Sequence, residues 1–119
     1  MSYIDGFVVP VKKKKLQDYR RLAEKSAKIW KEYGALEYVE AVADDVKPGK
    51  WTSFPQSVKL KAGETVVLAY VVYKSRAHRD SIIAKVMKDK RFAEMCNPKS
   101  MPFDGKRMFW GGFKPIVEA

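Results

Sequence analysis

The residues best suited to chemistry lie in three places along the chain. The first is Met101-Pro102-Phe103-Asp104-Gly105-Lys106-Arg107. Phe103-Asp104-Gly105 reads as a turn with positive φ at the glycine. Asp104 there could orient Lys106 or Arg107 by charge-assisted hydrogen bonds, and the oriented pair could clamp a carboxylate or phosphate. The competing reading is a turn in which Asp104 caps backbone N–H groups and the basic side chains stay in water. The second place is a pair of acids inside expected strands. Asp5 shares a strand face with Phe7 and Val9, and Glu40 shares one with Tyr38 and Val42. A carboxylate that loses its water in such a setting can serve as a general base. A neighbouring strand could instead pair either acid with Arg107 or Lys106 as a structural ion pair. The third place is a set of aromatics. Phe7, Trp30, Tyr38, Trp51, Tyr70 and Trp110 could line a cavity for a flat ligand, or simply fill the core. Asp5, Glu40, Tyr70, Asp104, Lys106 and Arg107 are therefore the ligand-binding candidates.

Other chemistries are poorly supported. His78 is the only histidine, so no histidine cluster can hold a metal. It falls at the start of an expected helix, where a partly exposed histidine is common. Cys96 is the only thiol and sits at the far end of the same helical segment, which argues against a Cys/His dyad. Zinc motifs, a Walker A loop and GxGxxG are absent, so no metal or cofactor is expected. Gly111-Gly112 is too short to cradle phosphate; a bulge or room for an aromatic neighbour is the expected use.

The elements that must position these residues can be read from period and punctuation. Residues 3–11 read as a strand, rich in β-branched and aromatic side chains and closed by Pro10 and the lysines. Residues 16–33 read as a helix. Leu16, Tyr19, Leu22, Ala23, Ser26, Ile29, Trp30 and Tyr33 form its apolar stripe, and Gly34 follows as a C-terminal αL residue. Residues 35–46 alternate as a strand. Residues 51–61 suggest an extended loop or short edge strand. Residues 64–73 are the strongest strand, and Ser75 then caps a helix to about residue 89. A helical turn over 91–95 and a last strand over 106–117 complete the path. The βαββαβ order, with right-handed crossovers, predicts a ferredoxin-like α+β domain covering residues 1–119. Its sheet would be four-stranded and antiparallel in the order 4-1-3-2, with two helices on one face.

Two helices shield only one face of such a sheet, so the other should turn polar. It does not. Val66, Leu68, Tyr70 and Val72 point one way while Val67, Ala69, Val71 and Tyr73 point the other, and strands one and four are similarly two-faced. A bare face of this kind exceeds what monomers usually expose. A second copy, sheet against sheet about a two-fold axis, would cover it. The alternative cover is the 47–63 loop folding back.

The chain of 119 residues suits one domain. Its longest apolar run, Val66 to Val72, is far too short to span a bilayer, and residues 1–5 lack a basic leader; no membrane contact is expected. One cysteine precludes an intrachain disulfide, and a cytoplasmic setting fits. The formal charge of +10 attracts anions in general. Residues 35–73, however, carry four basic against five acidic groups. Strand three also lacks the basic-Gly-aromatic pattern of an RNA-recognition motif, so nucleic acid is an unlikely partner.

The block Ser100-Met101-Pro102-Phe103-Asp104-Gly105-Lys106-Arg107-Met108, followed by Gly111-Gly112-Phe113, resembles the YbaA-like bacterial family of unknown function. Supporting matches include Asp5-Gly6-Phe7-Val8-Val9, Gly34-Ala35-Leu36, Val39-Glu40, Gly49-Lys50 and Arg79-Asp80. The resemblance runs over nearly the whole chain and implies a dimeric α+β barrel, but no established activity. His78 and Cys96 fall outside the matching residues. Three readings follow: a small dimer with a small-molecule pocket between helices and sheet, by fold analogy a cofactor-free monooxygenase-like enzyme; a structural or regulatory dimer; and a weak, non-specific RNA binder.

Overall fold

The computed structural model describes residues 2–119. Strands β1 (Tyr3–Lys12), β2 (Glu37–Val42), β3 (Glu64–Tyr73) and β4 (Phe109–Phe113) form one antiparallel sheet in the order β2-β3-β1-β4. This is the expected ferredoxin-like topology. Helices α1 (Leu16–Glu32), α3 (Arg76–Met87) and α4 (Lys90–Met95) bring their apolar residues onto one face; α2 (Phe54–Ser57) lies in the connection from β2 to β3.

Local signals explain most boundaries. Gly34 ends α1 with φ +112°, a conformation side-chain-bearing residues avoid. The Ser75 hydroxyl accepts the His78 N–H at 3.1 Å and starts α3, while Asp89 caps α4 through the Arg91 N–H at 2.8 Å. Three expectations need correction. Residues 51–61 hold a helical turn rather than an edge strand. Ser53 caps that turn, its Oγ accepting from the Gln56 N–H while the Gln56 side chain accepts from the Gly49 N–H, with Pro55 in the first turn. Gly105 does not take the positive φ expected of its turn, whereas β1 runs through Pro10 as expected and on to Lys12, Pro10 pairing with Val66 where β4 no longer flanks it. The last strand is only five residues long: Asp104 ties residues 104–107 into a turn before it, and it ends at Phe113, short of Pro115.

Register places the side chains in rows. On the helix side, Tyr38, Val71, Asp5 and Gly112 form one row, and Glu40, Ala69, Phe7 and Trp110 the next. The core lies here: Ile29 and Trp30 of α1 and Ile82 and Val86 of α3 pack on Val71 and Tyr73, while Tyr19 packs on Val9, Val11 and Val67. On the other side the rows read Ala41-Leu68-Val8-Phe109, Val39-Tyr70-Gly6-Gly111 and Glu37-Val72-Ile4-Phe113. The Phe113 ring lies over the paired glycines, 3.9 and 3.8 Å from where Cβ atoms on Gly6 and Gly111 would stand. The 47–63 segment does fold back, but only over one end, where buried Val58 meets Val8 and Val66. Leu68, Tyr70, Phe109 and Phe113 remain 46, 37, 46 and 64% exposed.

Candidate functional site

A cavity of about 270 Å³ opens between α1, α4, the 101–108 loop and the helix side of the sheet. Its walls are mostly apolar. Six aromatic rings line it, those of Phe7, Tyr19, Trp30, Tyr38, Phe92 and Phe103, with Met95, Cys96, Met101 and Met108 on the side of α4 and the loop. Edge contacts hold the rings: Trp30 against Phe92 at 5.4 Å and Tyr19 against Phe103 at 5.8 Å between centroids.

One charged group lines the cavity, the carboxylate of Glu40. β2 delivers it on the same face as Tyr38, and α1 delivers Tyr19 from above. The Tyr38 hydroxyl donates to Oε2 at 2.8 Å, and the Tyr19 hydroxyl donates to Oε1. Burial, reinforced by the negative carboxylate, pushes both phenols well above their ordinary range. They are neutral donors at any physiological pH. Among the described residues Glu40 makes no salt bridge. The cationic side chain in the adjoining groove, Arg20, is engaged with Glu24 at 3.2 Å. The expected ion pair between Glu40 and Arg107 or Lys106 is therefore corrected: two phenols, not a cation, hold this carboxylate.

Asp5 is corrected too. It is fully buried, and its partner is Arg79 from α3 rather than Arg107 or Lys106. The Arg79 Nη2 donates to Oδ1 at 2.9 Å and Nε to Oδ2 at 3.0 Å, a bidentate fork. The Tyr73 hydroxyl donates to Oδ2 at 2.9 Å, and the Trp30 indole N–H donates to Tyr73 at 3.1 Å. Gly112, opposite Asp5, makes the approach possible, since a Cβ there would collide with the Tyr3 ring and with Arg79 Nη2. The expected use of the glycine pair as room for an aromatic neighbour holds at Gly112, in a regular ladder without a bulge.

Arg107 is also committed. Its Nε donates to Asp104 at 2.9 Å, its Nη atoms to Glu64 at 2.8 and 2.6 Å, and Nη1 also reaches the Lys59 carbonyl at 3.1 Å. Asp104 orients Arg107 as expected and caps the Lys106 N–H at 2.9 Å. The result is a staple between the C-terminal loop and the start of β3, with Lys106 exposed beside it. Tyr70 stands on the opposite face of the sheet. The six candidates thus occupy four locations, and only Glu40 lines the helix–sheet cavity. Of the aromatic set, Phe7, Trp30 and Tyr38 line it. Trp110 stacks on Phe7 at 5.9 Å, and Trp51 is 86% exposed. Sequence reasoning missed Tyr19 as a site residue. The available signal was a tyrosine on an apolar helix stripe, whose hydroxyl needs a buried acceptor. His78 accepts the Lys74 N–H through Nδ1 at 3.0 Å, packed against Tyr73 and away from Cys96's wall.

The family described as protein of unknown function (DUF1428) matches residues 2–105, and the chain belongs to that family. It is 47% identical over 118 residues to the uncharacterized protein YbaA of Escherichia coli K12, covering 99% of each chain, and equally similar to YbaA of Shigella flexneri. Among solved structures it resembles a NIPSNAP family protein from Agrobacterium tumefaciens C58, with a TM-score of 0.64 at 14% identity over 99% of this chain and 89% of that one. A second is described as a dimeric ferredoxin-like protein from an uncultured marine organism, with a TM-score of 0.60 at 15% identity over the whole of both chains. At these identities the likeness is one of fold.

Proposed function

We propose that this protein is a homodimer, paired through the open face of its sheet, that binds a small and mainly apolar molecule between its helices and sheet. Glu40 meets the polar end of that molecule. The observation that carries the reading is the Glu40 carboxylate, held by two neutral phenols at the wall of an aromatic cavity without a salt bridge. Glu40 is partly buried, and a purely structural domain gains little from such a group, because withdrawing water from a carboxylate without supplying a cation is unfavourable.

The pairing rests on the three rows of apolar side chains left on the open face, where Glu37 is the only charged member. The description of one structural relative as dimeric accords with it. The same rows count against RNA, which needs basic side chains beside its stacking platform. A cytoplasmic setting belongs to this reading and rests on the single free cysteine. A cofactor-free monooxygenase-type reaction is its narrower form: Glu40 would take the substrate's proton, and molecular oxygen would oxidise the resulting anion, one oxygen atom entering the product and the other leaving as water.

A thermal-shift screen of small aromatic and short-chain molecules tests the proposal, run on the wild type and on Ala69→Leu, which fills the cavity floor. Compounds that raise the melting temperature of the wild type and not of the filled variant are expected. A screen without such compounds, together with soaked crystals whose cavity holds none of them, would sink the reading.

A further inference from the structure

We propose that the ligand of the helix–sheet cavity is a small organic cation, an alkyl- or arylalkylammonium ion whose nitrogen is held by Glu40 inside the aromatic cage. The proposal rests on the small-molecule reading above and names the chemical class that the site selects.

Charge balance comes first. The residues lining the cavity include one carboxylate and no lysine, arginine or histidine. Tyr19 and Tyr38 stay neutral, so the phenols donate hydrogen bonds without cancelling the charge. The three carboxylates least exposed in the described residues are neutralised, Asp5 by Arg79, Glu64 by Arg107 and Asp89 by Arg91. Glu40 is the partly buried acid that a cation from outside would complete.

Hydrogen-bond capacity points the same way. Each Glu40 oxygen accepts one phenol, and a carboxylate oxygen has room for about two donors. The unused lone pairs suit the several N–H groups of an ammonium. An alcohol would offer one donor and no charge, and a carboxylate or phosphate would meet a like charge with no cation to receive it.

The walls add to this preference. Aromatic faces attract cations through the ring quadrupole, and a carboxylate among rings is a common way to receive an ammonium. The indole N–H of Trp30 is engaged by Tyr73, so its ring has no free donor to compete for Glu40. The volume, about 270 Å³, lies just under the roughly 300–1,000 Å³ of drug-sized sites and suits one ring with a short chain. The whole chain carries a formal +10, which does not draw cations from a distance. Selection therefore happens inside the cavity, and added salt should weaken binding only slightly.

Calorimetric titration of the wild type with matched probes tests this. The probes carry a phenylethyl or a butyl chain and end in an ammonium, an alcohol or a carboxylate. The ammonium should bind at least about tenfold more tightly than the alcohol of the same chain, and the carboxylate should not bind. Glu40→Gln should bring ammonium and alcohol to similar affinity, and Tyr38→Phe should weaken both without inverting their order. If the alcohols bind as tightly as the ammonium ions, or Glu40→Gln keeps the preference, the cation assignment is overturned while the cavity reading stands. If none of the probes binds, both fall. The wild-type comparison decides the question even if a variant does not fold.

Discussion

Arg79→Met is the substitution whose cost is best determined by the structure. Asp5 is completely buried, and three of its four hydrogen bonds come from the Arg79 guanidinium. Methionine keeps the length and apolar stem of the side chain but removes the charge, leaving a carboxylate with the Tyr73 hydroxyl alone. Breaking a buried pair by deleting one partner costs roughly 3–5 kcal/mol. The Arg79 side chain is 14% exposed, so some water can reach the orphaned acid, and the lower end of that range, about 3 kcal/mol, is expected. For a domain of this size that corresponds to a melting temperature lower by roughly 10–15 °C. Asp5→Asn should cost less, because Arg79 keeps Asp80 at 2.9 Å and its stacking over Tyr3 and Trp110. The double variant should be cheaper than the sum of the two by about 1–3 kcal/mol. Urea unfolding followed by tryptophan fluorescence measures all four corners, and Trp30 reports directly through Tyr73. Protein concentration must be held constant, since the stability of the proposed dimer would depend on it. An Arg79→Met variant within about 0.5 kcal/mol of wild type, or strict additivity, would refute the reasoning.

Gly112→Ala should disturb the same network without touching a charge, lowering stability by roughly 1–3 kcal/mol as Tyr3 and Arg79 are displaced; unchanged stability would show that the passage is not tight. Tyr19, Tyr38 and Tyr73 are all raised by burial, so their contribution is intact below the ordinary tyrosine value of about 10 and is lost as pH climbs beyond it. Ultraviolet difference absorbance should show these three of the six tyrosines ionising only with alkaline unfolding; six normal titrations in the folded protein would contradict the burial argument. Leu68→Glu on the open face should convert the dimer to a monomer in sedimentation, with little loss of far-ultraviolet signal, whereas a wild type that is monomeric at micromolar concentration removes the pairing. Replacing Glu40, Tyr19 and Tyr38 together by Met, Phe and Phe should leave stability equal or higher, because apolar packing replaces a partly desolvated acid, and should abolish ligand-induced thermal shifts.

The fold was legible because each strong element carries its own punctuation. β3 begins at Glu64 after Gly63 and ends at Tyr73 before the Ser75 cap, both visible in the chain. α2 was missed because its Ser53 cap sits in a stretch whose proline and lone apolar residues look like a loop; Ser53 before Pro55 was the available signal. The local pair of Asp104 and Arg107 was legible, but the long-range pairing of charges was not. Arg79 is 74 residues from Asp5, and whether it or Arg107 reaches that acid depends on which helix end lies over which strand row. Glu40 was visible as an acid on an inward face, and Tyr38 as its neighbour two positions away. What could not be read was that α1 lays Tyr19 over it and brings no cation.

Asp5 and Glu40 show how one face of the sheet treats two acids differently. They occupy neighbouring rows on the same side of one sheet, and neither faces bulk water fully. α3 crosses the first row with a basic side chain, and Gly112 leaves it a way in. α1 crosses the second with Tyr19 and Ala23, while its basic residues Arg20, Arg21, Lys25, Lys28 and Lys31 lie off the inward stripe. One acid therefore receives a permanent cation and becomes a fixed part of the core. The other receives donors that hold it in place without neutralising it, beside empty space. A bound cation would do for Glu40 what Arg79 does for Asp5, but reversibly, and that reversibility is what distinguishes a binding site from a structural ion pair.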